Sequence, residues 1–358
     1  VGSEKALHPE KNGGNMFLTS GNETATPFGV LKPWYVYSIP TDYIKGLTEE
    51  NKRCMEITDS PKLYAKKYFY GCMQDGYTLC IKRLGGAGDV IWTLPVAREM
   101  KRLYPKCKIL YWVADMHNEL LQNIPFIDGV LNSPTLDDLD NVDHILDYYE
   151  SVERCNPAEY EEAFDLHWRW AFNTEFKGQA VGNITLKDSE ILNAKTIWGD
   201  DYIVCSMSSS NPKRTYFQLT SVIDRLAKAH KVIVTGMGPF RVPEGKNILN
   251  LVNCLNLREL LAVIKNAKLL VSTDSGNVHF AAQLGVPTVG LYSTAHMSTR
   301  VKYYPKSYGI QSDAWCAPCV KLGEYCPNEP ECLSRISVES VLSKVEEALK
   351  CNIPLQTT

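Results

Sequence analysis

Residues 81–96 read Ile-Lys-Arg-Leu-Gly-Gly-Ala-Gly-Asp-Val-Ile-Trp-Thr-Leu-Pro-Val, with glycines at 85, 86 and 88 immediately before Asp89. An apolar run, a glycine turn and a following amphipathic stretch predict a strand, a tight turn and a helix that opens on a carboxylate. A carboxylate at the mouth of an α/β sheet suits a general base better than a phosphate cradle. Gly86 and Gly88 are then expected to let a ligand approach closely. A second block, Leu269-Leu-Val-Ser-Thr-Asp-Ser-Gly-Asn-Val-His279, carries complementary chemistry. Its strand ends at Asp274, Ser275 and Gly276 turn the chain, and a helix begins with His279 in its first turn. Free N–H groups and the dipole at such a helix start favour an anion such as a diphosphate. The plain alternative is a simple N-cap at Asp274-Ser275. A facing Asp89 turn favours the anion site.

Two further stretches hold candidate ligands. Met207-Ser-Ser-Ser-Asn-Pro-Lys-Arg-Thr-Tyr-Phe217 follows a strand-like run. Ser208, Ser209 and Lys213 there could meet phosphate, against the blander reading of a solvated loop. Cys316-Ala-Pro-Cys319, Cys326 and Cys332 lie within a short span. That spacing favours a structural Zn or Fe knuckle over two local disulfides or four free thiols. No His or open position nearby suggests catalysis.

The elements that must position these residues form two strand–helix series. The first has strands at 77–84, 108–114, 129–131 and 144–147, with helices at 90–103 and 116–124. The second has strands at 202–206, 231–235, 250–252, 267–272 and 288–291, with helices at 215–229, 257–266, 277–284 and 337–349. Alternation of this length predicts parallel sheets covered by helices. A break near 186–200 predicts an α/β chain of two Rossmann-like domains facing a cleft, at 77–195 and 196–358. Residues 1–76 form an N-terminal extension, polar to about 30 and aromatic beyond, with a helix-like segment near 59–71. Its role is not legible.

Composition bounds the partners. The chain has 358 residues, 44% hydrophobic and 22% charged, with a net charge of −3. There is no bulk electrostatic pull towards nucleic acid, and no apolar run long enough to span a bilayer. Twelve cysteines, eight of them scattered, fit a reducing cytosol. No secretory signal is visible. Expected localisation is therefore cytoplasmic, with attachment at a membrane face left open. Between Asp137 and Asp165 stand eleven acidic residues against one cation, Arg154. Asp138-Leu-Asp140 within this run matches a metal-holding D-x-D, but a solvated acidic face is the better reading. His144 and His167, and the aromatic segment 164–172, read as structure and core rather than as a sugar platform.

Together the motifs resemble glycosyltransferase family 9, the heptosyltransferase group. Gly88-Asp-Val-Ile-Trp-Thr-Leu-Pro95 is similar to the first-domain G-D-V-[LI]-x-T-x-P of that family. Asp274-Ser-Gly-Asn-Val-His279, Ala281, Leu284-Gly285 and Pro287 are similar to its second-domain block. Lys213-Arg-Thr-Tyr216 matches a K-R-W-P-like element at its first two positions only, which favours Lys213 over Arg214. The cysteine tail resembles one common in the family. The resemblance covers about residues 77–350.

It implies the GT-B fold and an inverting sugar transfer from an ADP-, GDP- or UDP-linked donor without a catalytic metal. Asp89 would take the acceptor proton. Lys213, Ser275 and the Gly276–His279 helix start would stabilise the leaving diphosphate. Ser208 and Ser209 would line the phosphate site, and Asp274 would orient the turn or touch the nucleotide. Gly86 and Gly88 would give the donor sugar access to Asp89. The acceptor reads first as a glycan or lipid-linked saccharide. A protein side chain is an alternative that the extension supports, and a modified DNA base is disfavoured by the acidic run. A silent nucleotide-sugar binder is the third reading. Oligomeric state is not legible.

Overall fold

The computed structural model describes residues 15–20, 24–26, 29–31, 37–40, 47–48, 55–58, 73–134, 138–139, 141–148, 162–207, 214–318 and 332–351. The helix expected near 59–71 lies outside them. Strands β1 (Asn15–Ser20), β4 (Tyr37–Pro40) and β5 (Met55–Thr58) form an antiparallel sheet in the order β4-β1-β5. β2 (Thr24–Thr26) and β3 (Gly29–Leu31) pair as a hairpin. The extension is therefore strand-built, at least in part.

The first parallel sheet joins β6 (Thr78–Lys82), β7 (Lys108–Trp112), β8 (Gly129–Leu131) and β9 (His144–Asp147) in the order β8-β7-β6-β9. The second joins β10 (Tyr202–Ser206), β11 (Lys231–Thr235), β12 (Ile248–Asn250), β13 (Leu269–Thr273), β14 (Thr288–Tyr292) and β15 (Ser307–Gln311) in the order β12-β11-β10-β13-β14-β15. All pairs in both sheets are parallel. In each sheet the first strand is central. The loops that follow β6, β10 and β13 consequently open at C-terminal sheet edges, where α/β folds place ligands.

The helices depart from expectation at informative places. The segment expected as one helix over 90–103 is two, α1 (Ala87–Ile91) and α2 (Leu94–Leu103). Pro95 has no N–H to give to Ile91, so the ladder breaks there and α2 restarts with proline near its N-terminus. The Thr93 hydroxyl fills part of the gap by donating to the Val90 carbonyl at 2.7 Å. The helix expected over 116–124 is a 3-10 helix, Asp115–Leu121. Ala163–Phe172 is α3, and its aromatic residues are core, with Phe164 and Trp168 buried.

The supposed break at 186–200 contains α4 (Asp188–Trp198), which packs on α6 (Leu257–Lys265) of the second half. The other helices of that half are α5 (Leu219–Leu226), α7 (Gly276–Gln283), α8 (Ser298–Val301) and α9 (Val338–Lys350). Strand β15 and α8 were not anticipated. β15 is a polar edge strand, half-buried throughout, and carries little periodic signal.

Of the acidic run, Asp138 and Asp143 are exposed, whereas Asp147, Glu162 and Asp165 are engaged within the fold. Asp147 pairs with Lys82 at 2.9 Å with both side chains nearly buried. Asp165 binds Lys302 at 2.8 Å, across the two halves. Glu162 caps α3 through the Phe164 and Asp165 N–H groups, and burial pushes its carboxyl up to about 8. His144 packs against Tyr77 and His167 against Tyr148 with the rings tilted, as structural histidines would.

One apolar cluster runs through both halves, joining Ile81, Leu94 and Tyr111 to Leu261, Ile264 and Phe280. Arg258 fastens the same junction. Its guanidinium grips Glu190 at 2.6 and 2.8 Å and donates to the Thr185 and Glu119 carbonyls. It holds the Glu190 carboxyl below its usual range. Glu190 is half-buried, and losing the charge-assisted hydrogen bonds at such a site costs about 1.5–3 kcal/mol. Arg258→Ala is expected to lose stability of that order in a denaturant melt, and Arg258→Lys to recover only part of it. A loss under about 1 kcal/mol would contradict this role for the junction.

Candidate active site

A cleft of about 1020 Å³ separates the two sheets at their C-terminal edges. That volume suits a nucleotide-sized ligand. Its floor is made where two helix starts meet. From the first half comes the Leu84–Asp89 turn, and from the second Asp274–Asn277, with His279 and Phe280 behind. Ala87 and Gly276 are close enough that a Cβ built on Gly276 would sit 3.6 Å from the Ala87 Cβ. Gly86, Gly88, Asp89, Asp274, Ser275, Gly276 and His279 thus gather at one place from positions nearly two hundred residues apart. Ser208, Ser209 and Lys213 lie outside the described residues.

Asp89 is held on both oxygens. Oδ2 accepts from the Gly86 N–H at 2.6 Å, the N3 half of a capping box, and Oδ1 lies 3.1 Å from Arg83 Nη2. Arg83 is buried to 1% exposure, whereas the Asp89 side chain keeps 22%. Gly85 makes room for this pair, since a Cβ there would fall 2.6 Å from Asp89 Oδ2. The carboxylate is therefore locked in rotamer yet open to the cleft. Beside it, His117 from the 3-10 helix donates Nε2–H to the Gly85 carbonyl at 3.0 Å and steadies the turn. Burial pushes the His117 imidazole pKa down.

The opposite wall is cationic. Asp274 is 3% exposed and sits between two guanidiniums, Arg214 Nη1 at 3.5 Å and Arg300 Nε at 3.9 Å. Arg214 also donates to the Asp274 carbonyl at 3.1 Å. Arg300 lies over the Trp92 ring, 5.2 Å from its centroid, so a cation of the second half rests on an aromatic of the first. Asp274 thus aims two arginines at the helix start. Sequence reasoning preferred Lys213 to Arg214 and missed Arg300, Arg83, Trp92 and His117. Arg83 adjoins the glycine turn and was within reach. Arg300 stands on the short helix α8 with no motif around it. A third wall is apolar, from Met237, Leu251, Leu255 and Leu260, and next to it Thr235 Oγ1 is buried without a partner among the described residues.

The space over Gly88 is not open. His279 fills it, with Cδ2 2.6 Å from where a Gly88 Cβ would stand. The imidazole bonds Tyr304 through Nδ1 at 2.8 Å and meets Trp92 edge-on at 4.8 Å. Burial pushes its pKa down to about 4. The unfolded histidine titrates near 6.5, so between about 6.5 and 4 the unfolded chain binds the extra proton. The stability this site contributes is complete above 6.5 and is lost as pH falls towards 4. The melting-temperature advantage of wild type over His279→Gln is expected to shrink across that window. A difference independent of pH from 7 to 4 would refute a buried neutral imidazole.

Cys316 and Cys332 are half-buried and not disulfide-bonded, and neither lines the cleft. Cys319 and Cys326 lie outside the described residues. Among the described residues no cluster of three metal-ligating side chains occurs, and no helix is long and apolar enough to cross a membrane.

Comparison with known proteins gives this geometry its context. Residues 215–329 match the model of glycosyltransferase family 9 (heptosyltransferase). Lipopolysaccharide heptosyltransferase 1 of Pseudomonas aeruginosa is 30% identical over 108 residues, 26% of this chain and 30% of that protein. The match spans less than a third of that relative's length. Among solved structures, E. coli ADP-heptose LPS heptosyltransferase II superposes with a TM-score of 0.59 at 13% identity, over 76% of this chain and 99% of that one. TibC, an iron-containing dodecameric glycosyltransferase from enterotoxigenic E. coli H10407, gives 0.62 at 14%, over 96% and 93%. The fold is thus GT-B. Residues 215–329 are thus similar in sequence to glycosyltransferase family 9, and the two-sheet fold is shared with solved heptosyltransferase structures.

Proposed function

We propose that this chain is an inverting glycosyltransferase that moves a sugar, heptose first among candidates, from a nucleoside-diphosphate sugar to a hydroxyl. The observation that carries the reading is the cleft floor. There a carboxylate on one helix start faces two arginines and a second helix start. In the reaction the acceptor oxygen bonds to the anomeric carbon while the bond from that carbon to the phosphate oxygen breaks. The electron pair leaves with the diphosphate, and the hydroxyl proton passes to Asp89. A carboxylate is a weak base for an alcohol, but the proton leaves late, once the oxygen has begun to bond to a cationic carbon.

The diphosphate gains charge as it departs. Arg214, Arg300 and the N–H groups at Ser275–Asn277 are preset to meet that charge, with Lys213, Ser208 and Ser209 as further donors. This supplies from side chains what a divalent cation supplies elsewhere. The apolar wall at Met237–Leu260 suits a nucleobase. E. coli heptosyltransferase II is named for ADP-heptose, which makes ADP-heptose the first donor to try. Nucleotide release from ADP-heptose, GDP- and UDP-sugars, followed in EDTA, tests the reading. ADP release unaffected by EDTA is expected, and release that needs an added divalent cation would sink it.

The acceptor reads first as a glycan or a lipid-linked saccharide. A protein acceptor is the second reading, favoured by the strand-built extension. The likeness to dodecameric TibC reaches 96% of this chain and so takes in most of that extension, which supports an assembly role for it. The four thiols Cys316, Cys319, Cys326 and Cys332 are proposed to hold a structural iron or zinc. A soft donor set with two of its members reduced fits either metal. Elemental analysis of the purified chain is expected to give about one iron or zinc per chain, lost in Cys316→Ser. A folded, active and metal-free chain would remove the metal from the account.

A further inference from the structure

The two motifs at the cleft floor touch, and the contact is a fitted one. Gly88 belongs to α1 in the first half, and His279 to the first turn of α7 in the second. The imidazole occupies the volume a side chain at 88 would need, with Cδ2 at 2.6 Å and Nε2 at 3.1 Å from that Cβ position. How deep the ring sits is set from behind. Nδ1 is bonded to the Tyr304 hydroxyl at 2.8 Å. Tyr304 is buried and packs with Trp92, Phe164 and Val278, so its own position is fixed by both halves. It is not among the residues that line the cleft.

We propose that Tyr304 is a positioning residue for the transfer, acting through His279 on the Gly88–Asp89 turn. The inference rests on the glycosyl-transfer reading. Attack and departure occur on opposite faces of the anomeric carbon, with the proton acceptor on one half and the diphosphate cradle on the other. Their separation is fixed where Gly88 meets His279. A misplacement of about 1 Å between reacting groups costs about a hundredfold in rate. The Tyr304 hydroxyl holds the imidazole at the depth that gives the productive separation. Arg214 and the helix start bind diphosphate from the second half alone, so the affinity for ADP does not depend on this seating.

The test uses Tyr304→Phe, which keeps the ring and removes the hydroxyl. In ADP release from ADP-heptose, kcat is expected to fall by about tenfold or more, while calorimetric affinity for ADP changes less than about twofold. A merely structural role would lower the melting temperature without this split. Amide exchange at 90–93 and 277–280 gives a readout independent of turnover. It is expected to quicken in Tyr304→Phe. It is also expected to quicken in Gly88→Ala, but not when Gly88→Ala is made in a His279→Ala background, where the clash is gone. Unchanged kcat, or ADP affinity falling in step with kcat, would overturn the proposal. So would equal exchange in wild type and Tyr304→Phe, or the same effect of Gly88→Ala in both backgrounds. A wild-type chain that releases no ADP fails the transfer reading instead, and the exchange experiment then decides the contact by itself.

Discussion

Asp89→Asn is expected to reduce sugar transfer by about 10²- to 10⁴-fold, with donor affinity within about threefold of wild type. Asparagine is the informative replacement. Its side-chain oxygen still accepts from the Gly86 N–H, so the capping box that opens α1 survives. What it lacks is a charged, basic oxygen that can take up a proton. Asp89→Ala confuses two effects. Both replacements withdraw the anion from a guanidinium buried to 1% exposure, but alanine strips the cap as well. Asp89→Ala should therefore melt earlier than Asp89→Asn while being equally inactive. An Asp89→Asn enzyme at wild-type rate would move the proton acceptor elsewhere in the cleft. Turnover with and without the variant, set beside a melt of each, distinguishes the two roles.

Arg214→Ala is expected to weaken ADP binding by about 10- to 100-fold, the worth of one or two charge-assisted hydrogen bonds. AMP should lose much less, because it lacks the second phosphate. Binding should also lose part of its salt dependence. Arg214→Lys is expected to recover only part, since Nη1 alone meets both the Asp274 carboxylate and carbonyl, and a lysine has no second nitrogen left for the phosphate. Asp274 tempers the magnitude. At 3% exposure it keeps Arg300 nearby when Arg214 is gone, so the wall stays cationic. Calorimetry with ADP and AMP on wild type and Arg214→Ala measures the effect. Equal losses for the two nucleotides would take Arg214 out of the diphosphate site.

Much of the site was legible because its chemistry lies in short runs. Glycines next to Asp89 and the Asp274–His279 helix start can be read from local pattern, and parallel β6 and β13 bring both to C-terminal sheet edges as that pattern requires. Arg300 could not be read this way. It reaches the cleft only because α8 follows β14, beside β13, and its stacking on Trp92 is a contact between the two halves. The same distance effect hid the function of Gly88. Glycine permits either ligand access or close packing, and only the three-dimensional contact with His279 shows packing here. Helix 90–103 failed for a local reason, Pro95, which was present in the sequence but outweighed by the apolar periodicity around it. Within the acidic run Asp147 and Asp165 are paired singly, with Lys82 and Lys302, and Glu162 caps a helix, while Asp138 and Asp143 stay exposed as a solvated face requires.

The central claim is an in-line displacement at the anomeric carbon, with Asp89 on one side and diphosphate on the other. Proton NMR of ADP-heptose incubated with the wild-type chain in EDTA tests it most directly, read early enough to see the sugar product before it equilibrates between anomers. Donor consumption with ADP release and a first-formed product of inverted anomeric configuration are expected, both lost in Asp89→Asn. A product of retained configuration, or no consumption of ADP-, GDP- or UDP-linked donors, would contradict it.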